Sequence, residues 1–207
     1  MTRNSEELEL KDRIGMIENM MAEGRRSTAR WGWTSVLWGV AYLVATAWSS
    51  GLVGGPVWAR HLLAWPVTMI AASIATGVGI SRMKKGQPPT TLGRAIGATW
   101  MAMGISLFIV MMSLAVSGRY ETHVFIAIIG GMLGAANMAS AIILKWKMQF
   151  VCAVVWLGSA VMASFGTEGQ AGIAFLGATF LCQIVFGIYA MILESRRRGQ
   201  QSGAVHA

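Results

Sequence analysis

The chain has 207 residues, of which 55% are hydrophobic and only 13% charged, and a mean hydropathy of +0.55, which excludes an ordinary soluble domain. Its net charge of +8 arises from 17 Lys and Arg against 9 Asp and Glu, but these cations sit in tails and connections, so no nucleic-acid partner is expected. The pattern predicts an all-α integral membrane bundle of six transmembrane helices preceded by a cytosolic amphipathic helix.

Residues 1–30 make the first unit, a cytosolic helix with a basic linker. Asn4 with Glu7 three residues on is a capping pair, and Leu10, Ile14, Ile17 and Met21 fall on one stripe of a helix expected to end at Gly24. Its acidic residues, Glu6, Glu7, Glu9, Asp12 and Glu18, are unsuited to anionic lipid, so the stripe needs a cover. It is a candidate partner-binding surface, for its own bundle, for another copy in a homo-oligomer, or for a cytosolic protein. The apolar run that follows has spanning length and no Ala-x-Ala site, so it is expected to act as an uncleaved anchor.

The second unit, 31–193, holds six runs without a titratable Asp, Glu, Lys, Arg or His: 31–50, 62–80, 95–118, 124–144, 148–165 and 171–193. Each is close to the about 20 residues that a helix needs to cross a bilayer. Pro66 falls in the first turn of the second run, where its missing N–H costs little. The connections are short and rich in Gly, and residues 194–207 read as a basic, disordered cytosolic tail. Of the 17 cations only Arg60 and Arg119 fall on the side opposite the termini, a bias that places both termini in the cytoplasm. The basic segments 25–30 and 196–198 then touch anionic lipid headgroups.

Helices in lipid pack through small residues. Gly130 with Gly134, Gly131 with Ala135 and Ala139, and Ala136 with Ser140 form such rows in the fourth run, and Ala71, Ala75 and Gly79 in the second. Gly32, Thr34 and Gly39 echo Gly97, Thr99 and Gly104, which hints at repeated hairpins. Trp31, Trp33, Trp146, Trp48, Trp58 and Trp65 map to the two interfaces, whereas Trp38, Trp100 and Trp156 lie deeper among packing residues. Cys152 and Cys182 lie about 8 Å and 16 Å from the inner ends of their runs at 1.5 Å per residue, a mismatch that argues against a disulfide.

Chemistry has few places to reside. No ionisable group remains inside the runs, and H-E-x-x-H, G-x-S-x-G, P-loop and C-x-x-C patterns are absent, so no catalytic, cofactor-binding or metal-ligating residue is expected. The candidate polar layer is Ser73, Asn137 and Gln183, with Ser106 and Ser159. If these converge they line a neutral pocket for a small uncharged solute or a lipid headgroup. If they do not, they are hydrogen-bonding groups worth about 0.6 kcal/mol each. Arg119, Tyr120, Glu121 and His123, with Arg60, His61 and Glu168, form an outer rim that reads as solvated surface.

Met16-Ile17-Glu18, then Gly24-Arg25-Arg26-Ser27, then Gly32 and Leu37-Trp38-Gly39, resemble uncharacterised small bacterial multispanning inner-membrane proteins over the first quarter of the chain. The resemblance implies a bacterial inner-membrane protein and supplies no site, substrate or reaction. The expected function is a non-catalytic interaction or regulatory component acting through the N-terminal helix; the alternative is a transporter or channel for a small neutral solute or lipid.

Overall fold

The computed structural model describes residues 2–30, 32–83, 91–119 and 121–205. Every regular element among them is helical: α1 (Thr2–Arg30), α2 (Gly32–Ser49), α3 (Val57–Leu62), α4 (Ala64–Met83), α5 (Thr91–Val116), α6 (Thr122–Leu144), α7 (Lys147–Phe165) and α8 (Glu168–Thr179), then a π-helical stretch (Phe180–Val185) and α9 (Phe186–Val205). Five helical runs are long and apolar enough to cross a membrane: Ala64–Arg82, Thr91–Val116, Thr122–Leu144, Lys147–Phe165 and Glu168–Arg196. Uncharged α2 has 18 residues and is not among them, because Trp33, Trp38 and Trp48 with Gly, Ser and Thr dilute its aliphatic content.

Among the described elements α2 packs on α4, α5 on α6, α6 on α7 and α7 on α8, neighbours joined by short connections. Trp33 lies over Gly79, and Trp38 Nε1 donates to Thr76 Oγ1 at 3.2 Å, fixing α2 against α4. On its other side α2 meets the last helical run. A Cβ on Gly32 would fall 2.7 Å from the Gly187 carbonyl, and one on Gly39 would fall 2.7 Å from Gln183 Cβ. The tightest hairpin is α6 with α7, where Gly130 approaches the Trp156 carbonyl and Ser159, and Gly134 approaches Leu157. The small residues Gly130 and Gly134 thus bring backbones together, whereas in the row of Ala71, Ala75 and Gly79 the two alanines are exposed and Gly79 receives the Trp33 ring. The row of Gly131, Ala135 and Ala139 does not: Gly131 has no neighbour within 4 Å and Ala135 is exposed. Gly97 and Gly104 likewise have open space where Gly32 and Gly39 have close contacts, so the sequence echo does not correspond to equivalent packing.

Opposite the basic end of the bundle, aromatic rings tie five helices together. Phe175 of α8 lies 6.2 Å from both Tyr42 and Phe125, 6.1 Å from Trp65 and 6.0 Å from Trp156, and Trp65 meets Phe125 edge-on at 4.4 Å. Trp65, expected at an interface, is therefore a half-buried member of this cluster.

Helix ends differ from the sequence reading in three places. The first helix does not stop at Gly24 but continues to Arg30, because Gly24 is buried against Leu92 and Leu144, each 2.7 Å from the position of a Cβ there. Gly24 serves close approach and not helix termination. The last helix runs on to Val205 instead of giving way to a disordered tail, through a segment that includes Glu194 and three Arg, all good helix formers. Helix α8 opens with a capping box: Thr167 N donates to Gln170 Oε1 at 2.9 Å, and Gln170 N donates to Thr167 Oγ1 at 3.4 Å. The expected Asn4–Glu7 cap lies outside the described side chains, as does Trp31.

Candidate functional site

The structure splits the candidate polar layer. Asn137, Ser159 and Gln183 are buried, while Ser73 and Ser106 are exposed on the flanks of α4 and α5. Ser73 Oγ donates to the Met69 carbonyl of its own helix at 2.8 Å. Asn137 Nδ2 and Ser159 Oγ also bond to their own helices, at the Leu133 and Trp156 carbonyls, both at 2.8 Å. The five residues therefore do not line one layer. Depth along a helix, which the sequence supplies, says nothing about which way a side chain faces.

A different set of polar groups is buried on α7 and on the last helical run. Gln149, Cys152, Trp156 and Ser159 recur at intervals of three and four, which is one face of α7, and all are buried. On the last helical run Thr179, Cys182 and Gln183 are also buried, Cys182 against α7 and Gln183 against Gly39 of α2. The π-helical stretch explains why adjacent Cys182 and Gln183 are both enclosed, since its wider turns crowd more side chains onto one side, and Gly39 leaves room for the Gln183 stem. Cys182 Sγ reaches the Cys152 carbonyl at 3.6 Å, and both thiols are free. The two cysteines are neighbours in spite of the depth mismatch inferred from sequence. Counting inward from residue 193 misplaced Cys182, because the last helix extends well past that residue.

Three atoms in this region, Gln149 Oε1, Trp156 Nε1 and Thr179 Oγ1, are buried without a hydrogen-bond partner. They supply an acceptor, a donor and a group that does both, so the chemistry available is neutral hydrogen bonding. Leaving such atoms unpaired in a dry interior costs about 1–3 kcal/mol each. The signal was present in the spacing of Gln149, Cys152 and Trp156, but reading residue types one at a time passed over it. A further interhelical bond, from Trp100 Nε1 to Ser140 Oγ at 3.1 Å, joins α5 to α6.

The candidate partner-binding stripe lies on α1. Leu10, Ile14 and Ile17 are 59%, 49% and 56% exposed, while Met21 is half-buried beside Gly24. The bundle therefore holds the C-terminal part of α1 and leaves the rest of the stripe uncovered. Arg13 Nη2 donates to Glu9 Oε1 at 2.6 Å on its exposed flank.

At the other end of the molecule, Arg119, Glu121 and Glu168 are exposed and His123 and Arg60 half-buried, with the Arg60 guanidinium lying over Gly51. Gly51 adopts φ +89°, a conformation that favours glycine. Tyr120 and the His61 side chain lie outside the described residues. Among the described residues no three His, Cys, Asp or Glu side chains group as metal ligands would.

These features define a helical bundle whose apolar helices are those of a multi-pass membrane protein. No family model matches the chain, and neither a curated protein nor a solved structure matches it.

Proposed function

We propose that the protein is a non-catalytic component of the bacterial inner membrane, spanning it six times with both termini in the cytoplasm and acting in interaction or regulation through α1. The observation that carries this reading is the exposed stripe of Leu10, Ile14 and Ile17 on a helix anchored at Gly24. Apolar side chains aligned on one face of a solvated helix are a recognition surface when their own bundle leaves them uncovered. The sixth span is α2. Gly39 lies against Gln183, near the middle of the run Glu168–Arg196, so α2 shares the depth of a helix that is itself of spanning length. Six spans also gather Arg82, Arg94, Lys145, Lys147 and Arg196 on the cytoplasmic side, where they meet anionic headgroups.

The test places a photoreactive benzophenone side chain at position 14 in native membranes. A discrete cross-linked adduct is expected, and none when the same group replaces Asp12 on the opposite face of α1. Absence of an adduct from positions 10, 14 and 17 in a correctly inserted protein removes the reading.

A second reading, binding or passage of a small neutral solute or lipid, is favoured by the unpartnered Gln149, Trp156 and Thr179 atoms. The native thiols beside them report on it. Labelling of Cys152 or Cys182 by a charged, water-soluble thiol reagent supports an aqueous route to these groups. Labelling by lipid-soluble reagents alone rules that route out.

A further inference from the structure

We propose that Cys152 and Cys182 are a reactive dithiol that closes to a disulfide within the bilayer, with a lipid-soluble quinone as the oxidant. The proposal is independent of the reading of α1 and uses only the multi-pass bundle. Cys152 belongs to α7 and Cys182 to the π-helical stretch, and both thiols are free. Cys182 Sγ reaches the Cys152 carbonyl at 3.6 Å, and the two thiols stand within hydrogen-bonding reach of each other. Proximity is the first requirement of a bridge, since cysteines on elements held apart cannot be joined without moving the backbone.

The surroundings select oxidation over metal binding. The runs 148–165 and 171–193 that carry the pair contain no Asp, Glu, Lys, Arg or His. A soft monovalent cation held by two thiolates leaves a negative charge there with nothing in either run to offset it, which an apolar medium disfavours. A disulfide is neutral. Oxidation breaks both S–H bonds and joins the two sulfurs, while two electrons and two protons pass to the quinone, which leaves as the quinol. Every reactant and product of the overall step is uncharged.

Access selects the oxidant. Both cysteines are 5% exposed, yet their sequence neighbours Val151 and Leu181 are 53% and 51% exposed on the apolar outside of the bundle. The thiols thus lie one side chain beneath a surface that faces hydrocarbon, where a quinone dissolves and a charged oxidant does not. A single cysteine buried in such surroundings is inert. What distinguishes this pair is the second sulfur, which displaces a group bonded to the first and completes the bridge.

The test treats the full chain in membranes with duroquinone, whose fully methylated ring blocks addition of a thiol. The chain is then unfolded, exposed to a maleimide and weighed. A monomer lighter by two hydrogens and without maleimide is expected. A parallel sample receives 4,4′-dipyridyl disulfide, a lipid-soluble reagent that closes a dithiol by exchange and releases two thiopyridones. Closure by this reagent but not by duroquinone overturns the quinone as oxidant. Two maleimides or two retained pyridyl groups per chain after both treatments overturn the dithiol itself, as does a bridge between chains. A charged aromatic disulfide should close the pair at least about tenfold more slowly than the neutral one, because it must leave water to reach it. Equal rates overturn the route through lipid. Cys152→Ser and Cys182→Ser should each leave the other thiol free to react with maleimide.

Discussion

Glycine at 130 and at 131 illustrates how position on a helix face decides what a residue does. A Cβ at Gly130 would lie 2.8 Å from Ser159 Oγ and 3.0 Å from the Trp156 carbonyl, whereas one at Gly131 would meet nothing within 4 Å. Gly130→Leu should therefore lower the stability of the detergent-solubilised protein by about 1–3 kcal/mol through overpacking against α7. Gly131→Ala should leave it unchanged or raise it by up to about 1 kcal/mol, since helix propensity alone is altered. Thermal unfolding of the two variants checks the contrast. Trp100→Phe removes the bond to Ser140 and should cost about 0.6 kcal/mol, a value typical of hydrogen bonds between membrane helices. The Gly130 and Gly134 row was legible in the sequence because spacing reveals which small residues share a face. Which face finds a neighbouring helix was not legible, and the row of Gly131, Ala135 and Ala139 shows it.

Among elements, the long uncharged runs were legible to within a few residues, because a helix bare of charge over a membrane's thickness is ill suited to water on any face. Helix ends were harder. Gly24 has the composition of a stop signal, yet tertiary contact with Leu92 and Leu144 carries the helix through it. The short α3, with exposed Trp58, and the Thr167–Gln170 capping box were hidden in connections read as irregular. The status of α2 decides the topology. Reporter fusions placed after Ser50 and after Gly118 are both expected outside the cytoplasm. A cytoplasmic signal from either is incompatible with six spans and both termini inside. Gly24→Leu offers a second check at this scale, since it drives a branched side chain into Leu92 and Leu144. It should loosen α1 from the bundle, seen as increased protease sensitivity near residue 24, while the spans remain protected.

For the whole molecule, the bundle interior and the exposed stripe on α1 are separate. The aromatic cluster around Phe175 and the α6–α7 hairpin hold the bundle, and among the described side chains of α1 those buried against it lie near its C-terminal end. Removal of residues 1–20 is thus expected to leave the thermal unfolding of the bundle unchanged. The stripe on α1 was legible because it depends on local periodicity alone. The buried set of Gln149, Cys152, Trp156, Thr179 and Cys182 was not, because it depends on the rotation of two helices about their axes, which hydropathy does not encode.

The six residues Phe180–Val185 carry a consequence for how this helix tolerates change in length. Loss of one residue from an ordinary helix swings everything beyond it about 100° around the axis. Within this wider loop of backbone the same loss lets the chain tighten into regular turns, so Phe175 and Ala190 each keep their orientation. A one-residue deletion at Ile184 should therefore insert and fold, whereas a one-residue deletion at Val155 in α7 should not, and monodispersity after extraction distinguishes the two.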